Sequence, residues 1–376
     1  MATAGPKAGL EDVVAGDSQI CFIDGKEGRL VYRGYDIHDL VAHDATFEEV
    51  AYLLWHGQLP TRTELEALDR EMRSQRAVHE RVLSIVTSAP KHVHPMAILR
   101  TAVSEAGLYD PDGESMAADA NLRKATRLTA QMATIVAAIG RVAAGQEPVA
   151  PRDDLDHAAN FLYMLWGKEG DPKDVRDMRV ALILHADHEL NASTFAARVT
   201  AATLADMYSA VVSAIGALRG PLHGGANEQV MRMLLSIGSV DKAEGFIRQA
   251  LAEKQKIMGF GHRVYKTEDP RATHLRQMSR EAGERHGETK WHEMSRIVER
   301  AMLEEKKLYA NVDFYSASAY YMMGLPIDLF TPVFAMSRIS GWTAHILEQY
   351  ANNRIIRPRA EYVGPERLSY VPVAQR

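Results

Sequence analysis

Hydrophobic and polar positions give one short strand pattern and a long succession of helical ones. Ile20 to Gly25 and Leu30 to Gly34 read as two strands of a hairpin, turning through Asp24-Gly25-Lys26-Glu27-Gly28. Almost no other stretch carries a convincing strand signal. From there the apolar spacing is helical. Thr46-Phe47-Glu48-Glu49 is a capping box opening a helix that ends near Gly57, with Pro60 beyond. Thr63 and Glu66 mark the next start, with Leu65, Leu68 and Met72 on one face. Pro95 suits the first turn of a helix through Val103. Asp119 to Ala144 is a long helical pattern with Asp119 as its expected N-cap, broken by Gly145-Gln146-Glu147-Pro148. Another helix runs from Asp156 to Trp166.

Ala181 to Leu184 leads into His185-Ala186-Asp187-His188-Glu189-Leu190-Asn191, followed by an alanine-rich helical region from Ser193 to Leu218. Small residues let helices approach closely, which suits a dense core or a subunit interface. Asn227 is the expected N-cap of a helix carrying Val230, Met233 and Leu234. The segment from about Asp241 to Lys307 is charged and Met-rich and reads as surface helices of a smaller domain. An apolar pattern returns from Ala317 to Tyr350. No internal repeat or low-complexity tract is present.

Length and composition narrow the class. At 376 residues the chain has room for two domains and a large core. Hydrophobic residues make up 46% and charged residues 25%, as in ordinary globular proteins. The net charge of -5 and the lack of a long basic block argue against nucleic acid as a main partner. Cys21 is the only cysteine, so neither an intrachain disulfide nor a cysteine-based zinc site is possible. Met1 to Val14 lacks the apolar core of a signal peptide and carries Glu11 and Asp12. No uncharged run reaches a membrane-spanning length. These features lead us to expect a soluble cytoplasmic protein.

Four clusters could carry chemistry. In Gly220-Pro221-Leu222-His223-Gly224-Gly225-Ala226-Asn227-Glu228, a histidine precedes a helix start. The positive end of the helix disfavours imidazolium, and a neutral ring beside bare backbone can stabilise a developing oxyanion. A Gly-rich turn with a core histidine fits the same pattern. Gly259-Phe260-Gly261-His262-Arg263-Val264-Tyr265-Lys266, with Asp269-Pro270-Arg271 behind it, offers a histidine after a tight turn among cations; a basic surface loop is the alternative. It lacks the third glycine and the preceding strand of a dinucleotide fingerprint. Asn311-Val312-Asp313-Phe314-Tyr315-Ser316 places a carboxylate among apolar neighbours, where desolvation raises its pKa towards that of a general base; an aspartate N-cap is the plainer reading. His185-x-x-His188 invites zinc, but no His-Glu-x-x-His arrangement is present, and an anion-facing histidine pair fits better. Arg338, in the helical stretch Phe334 to Gln349, and Arg357 and Arg359 around Pro358 could grip carboxylates, or could be solvated.

Taken together, and in this order and spacing, the three motif blocks around His223, His262 and Asp313 resemble the citrate synthase family over nearly the whole chain, from the Ile20 hairpin to Val363-Gly364. Compact length and the Ser316-Ala317-Ser318 continuation resemble its shorter bacterial and archaeal dimeric branch. The resemblance implies a mostly α-helical fold with a short N-terminal β-hairpin. Residues 1–224 and 325–376 would form a large discontinuous domain, and residues 225–324 a small inserted one closing over a cleft, with Gly224, Gly225 and Gly324 near the hinges. It implies condensation of acetyl-CoA with oxaloacetate to citrate and CoA, the first step of the tricarboxylic acid cycle.

By that resemblance Asp313 is the base, His223 the donor to the enolate oxygen, and His262 the donor to the oxaloacetate carbonyl. His188, Asn191, Arg271 and Arg338 would hold oxaloacetate, with Arg357 reaching in from a second subunit. Lys256, Gly259, Phe260, Gly261, Arg263 and Lys266 would border CoA. No metal or other cofactor is implied, nor a nucleic acid or membrane partner, but a homodimer is. The alternative inside the family is 2-methylcitrate synthase, which uses propionyl-CoA, or an enzyme using both. Asp313-Phe314-Tyr315-Ser316 favours acetyl-CoA.

Overall fold

The computed structural model describes residues 8–10 and 13–376, so most of the Met1 to Val14 segment lies outside the described residues. Three strands, Cys21–Asp24 (β1), Arg29–Tyr32 (β2) and Tyr35–Asp36 (β3), form one antiparallel sheet in sequence order, with Cys21 opposite Tyr32. The expected hairpin is present, and Gly34 turns the chain into the third strand. Sixteen α-helices among the described residues make up most of the rest. They begin with Ile37–Ala42 (α1), Phe47–His56 (α2), Arg62–Ser74 (α3), Glu80–Thr87 (α4), Pro95–Leu108 (α5) and Ala118–Ala143 (α6). His157–Trp166 (α7), Pro172–His185 (α8), Ala192–Ala201 (α9) and Met207–Leu218 (α10) follow. The last six are Ala226–Ile237 (α11), Val240–Ala252 (α12), Pro270–His286 (α13), Lys290–Lys306 (α14), Val312–Met322 (α15) and Phe330–Ala351 (α16).

Helix starts follow local side-chain chemistry. Thr46 and Glu49 form the expected capping box. The next box is Thr61 with Glu64, two residues before the expected Thr63 and Glu66, because Thr61 is the last extended residue. Asp156, read from the sequence as the start of this helix, is its N-cap. Asp119 lies inside α6, whose cap position is held by Ala117 without a side-chain bond. Asn227 likewise falls inside α11, which starts from Gly225. The alanine-rich region is two helices, because the chain turns at Ala202 to Ala205 and Asp206 caps the second.

Helix α16 is the core element. Its residues are buried on every face from Phe330 to Ile346, and it packs on α2, α5, α6, α8, α9 and α10. Helices α11 to α15 pack chiefly on one another and meet the remainder through α8, α16 and the turn Ile327–Leu329. No helix among the described residues is long and apolar enough to cross a membrane. Beyond Ala351 the chain carries no helix or strand apart from a short 3-10 turn at Val373–Gln375, and Ile355, Tyr362, Val363, Leu368 and Tyr370 are exposed.

One close approach fixes how α16 meets the turn after α8. The Gly341 N–H donates to the Ala186 carbonyl at 3.1 Å. A Cβ at Gly341 would lie 2.3 Å from that oxygen and 2.4 Å from Asp187 Oδ1. Gly341→Ala is therefore expected to destabilise the protein by about 1–3 kcal/mol through overpacking. Urea unfolding at matched protein concentration would read this as a lower midpoint, and an unchanged midpoint would show that the turn can yield.

Candidate active site

Backbone pairing first brings two motif blocks together. The Gly261 N–H donates to the Tyr309 carbonyl and the Asn311 N–H to the Gly259 carbonyl, both at 2.9 Å, around a bridge between Phe260 and Ala310. Asn311 Nδ2 adds a bond to the Gly261 carbonyl at 3.0 Å. The same asparagine caps α15 through the Asp313 N–H, so Asp313 is freed from the capping role that its position allowed. A third partner is the N-terminal hairpin: Lys266 N–H donates to the Gly25 carbonyl at 2.8 Å.

The histidines are neutral, and for His262 and His223 the surrounding N–H groups define the tautomer. Nδ1 of His262 faces the N–H groups of Val264 and Tyr265 at 3.0 and 3.2 Å. It must accept, so the ring proton sits on Nε2. Burial, then the charge of Arg271, holds its pKa down to about 4. His223 is arranged the other way round. Its Nε2 meets the Ser193 N–H at 3.3 Å and the Ser193 hydroxyl at 2.8 Å, which leaves the proton on Nδ1. Its pKa is also about 4, through burial and then Arg338. The glycine beside it serves the backbone: a Cβ on Gly224 would lie 2.4 Å from the Leu218 carbonyl. His188 is buried with Nε2 3.2 Å from the Tyr265 hydroxyl, and its ring lies 5.1 Å from that of His262. Burial and then Arg271 keep it well below the usual histidine range.

Two buried arginines supply the charge. Arg271 donates from Nε and Nη2 to Asp269 at 2.9 and 2.7 Å, with both side chains almost fully buried. Asp269 Oδ2 also accepts from the Val312 N–H at 3.2 Å, tying the head of α13 to the head of α15. Arg338 donates from Nε to the His185 carbonyl at 2.6 Å and lies over the Phe334 ring at 4.7 Å. Burial lowers its pKa to about 10, with Asp187 opposing. Asp313 lies within electrostatic reach of both arginines. Burial nevertheless pushes its carboxyl up to about 7, and its Oδ1 is buried without a partner.

His188, His223, His262, Arg271, Arg338 and Asp313 thus share one electrostatic neighbourhood. His185 does not join His188 as a ligand pair. Helix α8 ends at His185, and its Nδ1 bonds the Ala181 carbonyl of its own helix at 2.8 Å. The Asn191 side chain is engaged in capping α9, with Oδ1 accepting from Ser193 and Thr194. Lys256, Arg263 and Lys266 are exposed, with Lys266 Nζ 3.5 Å from the Arg263 carbonyl. Gly259, Phe260 and Gly261 form the bridged turn already described, and Arg357 is exposed on the C-terminal arm. Ser193, Trp342 (whose indole N–H donates to Ser193 Oγ at 3.1 Å), Tyr265 and Asp269 gained no role from sequence reasoning. Tyr265 and Asp269 lie inside or just after a motif block, but nothing local marks Ser193 or Trp342.

The family model described as "Citrate synthase, C-terminal domain" matches residues 9–359. Citrate synthase 2 of Bacillus subtilis (strain 168) is 55% identical over 369 residues, covering 98% of each chain. 2-Methylcitrate synthase 1 of Corynebacterium glutamicum is 42% identical over 375 residues, again covering 98% of each. The solved citrate synthase of the archaeon Thermoplasma acidophilum, in ternary complex with carboxymethyl coenzyme A and oxaloacetate, superposes with a TM-score of 0.94 at 33% identity, covering 98% of each chain. A helical fold with a centre of neutral histidines, buried arginines and a raised carboxyl, matched along nearly its whole length in sequence and in structure, places this chain in the citrate synthase family.

Proposed function

We propose that the chain condenses acetyl-CoA with oxaloacetate to citrate and CoA, as an acyltransferase that turns the acyl group into an alkyl group on transfer. The observation that carries this reading is Asp313: a buried carboxylate with an unpartnered oxygen and a pKa near 7, beside histidines held neutral. A thioester α-carbon is a weak acid, so its deprotonation needs a base and a donor acting together. Asp313 takes the methyl proton while His223, through Nδ1–H, donates to the oxygen that becomes an enolate. His262, through Nε2–H, donates to the oxaloacetate carbonyl, which the enol carbon attacks. Hydrolysis of the resulting thioester releases CoA and citrate. Neutral donors suit both positions, because a cation would protonate the enolate rather than stabilise it. These side chains supply base and donors between them, and the reading includes no resident cofactor.

Arg271, Arg338 and His188 would hold the oxaloacetate dianion, with Asn191 acting through Ser193 and His223. Lys256, Arg263 and Lys266 would meet CoA phosphates beside the Gly259-Phe260-Gly261 turn. Residues 225–324, which contain α11 to α15, would act as the small domain, closing on the body formed by 1–224 and 325–376 and excluding water. The exposed apolar C-terminal arm supports a homodimer in which Arg357 reaches the partner's cleft, working as a soluble enzyme of the cytoplasm. Greater similarity to a citrate synthase than to a 2-methylcitrate synthase favours acetyl-CoA. A single methylene is worth only about 1–3 kcal/mol, so some propionyl-CoA turnover is expected.

Thiol release from acetyl-CoA and propionyl-CoA, each with and without oxaloacetate, tests the reaction. Release that depends on oxaloacetate and favours acetyl-CoA is expected; equal or greater release from propionyl-CoA would move the assignment to methylcitrate synthesis. Asp313→Asn should lower kcat by roughly 100- to 10,000-fold, the usual scale of acid–base catalysis, with oxaloacetate binding largely kept. Because Asp313 must be ionised to act, kcat/KM of the wild type should fall tenfold per pH unit below about 7. Stability moves oppositely. A carboxyl raised in the folded state favours folding only while protonated, so wild type loses stability as pH rises from about 4 to about 7. Asp313→Asn escapes this loss, and its melting advantage should grow across that window and then level off. A flat difference would refute the raised carboxyl. Arg338→Ala should raise the KM for oxaloacetate about 10- to 100-fold, as for a lost charged hydrogen bond, with little change for acetyl-CoA. An unchanged oxaloacetate KM would remove Arg338 from the substrate site.

A further inference from the structure

We propose that the N-terminal hairpin is a strut that positions His262, with Gly25 and Asp24 as positioning residues for the condensation. The loop that carries His262 has little support of its own. Residues 262–268 form no helix or strand. Among the described residues, their one backbone–backbone hydrogen bond runs from the Lys266 N–H to the Gly25 carbonyl at 2.8 Å. Gly25 also presses on the peptide unit just before that bond. A Cβ there would lie 2.3 Å from the Val264 carbonyl oxygen and 2.9 Å from its carbon. The same peptide unit carries the Tyr265 N–H, which donates to His262 Nδ1 at 3.2 Å. A peptide plane is rigid, so the hairpin at one edge sets where the imidazole at the other edge sits. Gly28 repeats the contact further along, where a Cβ would lie 2.9 Å from the Glu268 carbonyl oxygen.

The hairpin can bear on this loop because both of its ends are held. At the tip, Asp24 Oδ1 accepts from the Lys26 and Glu27 N–H groups at 2.8 and 2.9 Å, and the Gly28 N–H donates to the Asp24 carbonyl at 2.9 Å. An aspartate turn of this kind closes through its own side chain, without help from the loop it meets. At the base, the buried Tyr32 hydroxyl lies 3.1 Å from the carbonyls of both Ile183 and Asp187. Arg33 donates to the Leu54 carbonyl of α2 from Nε and Nη2 at 3.2 and 2.9 Å. Cys21, paired with Tyr32, is separated from Asp24 by three strand steps, about 10 Å. His188 directly follows Asp187. One end of the strut therefore stands at the turn bearing His188 and the other at the loop bearing His262, and the two rings lie 5.1 Å apart. Clearing an added methyl at Gly25 requires the loop to retreat by about 1 Å. This role for His262 rests on the function proposed above.

Hydrogen exchange of the full chain, followed by mass spectrometry over residues 262–268, reads the strut without substrate. Exchange there should be about tenfold faster in Gly25→Ala and in Asp24→Ala. It should match wild type in Asp24→Asn, whose amide oxygen still accepts, and in Glu27→Gln, an exposed tip change. The infrared stretch of the ketone in bound oxaloacetate reads the consequence for His262. Binding to wild type should lower that frequency. Gly25→Ala and Asp24→Ala should move it back towards the free value, and Asp24→Asn should restore it. In Gly25→Ala kcat should fall with it by roughly 10- to 100-fold, the scale of a misplacement near 1 Å. The Kd for oxaloacetate should stay nearly unchanged, because Asp269 holds Arg271 to α15 without the hairpin. Wild-type exchange in both Gly25→Ala and Asp24→Ala would overturn the strut. Faster exchange with an unmoved ketone frequency would overturn its positioning of His262. No lowering of the frequency in wild type would instead remove the proposed reaction, and exchange would still decide the strut.

Discussion

Two guanidinium groups held out of water set the main constraint on this fold. Arg271 and Arg338 are both almost fully buried, and each unpaired buried charge would cost several kcal/mol. The protein meets that cost differently at the two places. Arg271 has a full ion pair with Asp269 from its own helix turn. Arg338 has a carbonyl, an aromatic face and the nearby charge of Asp187, which do not fully offset burial, so its pKa falls. A bound dianion would complete the balance at Arg338, whose incomplete neutralisation supports the proposed substrate role.

The neutral histidines follow from the same constraint. Two positive groups nearby make protonation of His188, His223 and His262 unfavourable beyond the effect of burial. At His223 and His262, backbone N–H groups then fix which nitrogen keeps its proton. Asp313 is the counterpart: the arginines pull its pKa down, and desolvation outweighs them. A base that titrates near neutrality and donors that stay uncharged thereby share one low-dielectric space.

Packing holds these groups in register. Asp269 links the heads of α13 and α15 through the Val312 N–H, while the 259–261 and 309–311 segments pair directly. Gly341 allows α16 to press against the turn that carries Asp187 and His188. A small displacement in any of these joints would move a donor relative to the base.

Sequence alone determined the helical class, the hairpin, several helix starts and the three motif blocks, because apolar periodicity, capping side chains and contiguous motifs are local properties. It misplaced the caps at Thr63, where Thr61 competes, and at Asp119 and Asn227, where the helix starts from Ala117 and Gly225 without a side-chain cap. It also offered Asp313 as a cap, although Asn311 takes that role. The remaining decisions were tertiary. Ser193 comes to His223 from 30 positions away and Trp342 comes to Ser193 from 149, so no spacing could announce them. The protonation states belong to this level as well. Burial and the summed field of distant arginines set them, and both exist only once the helices have packed.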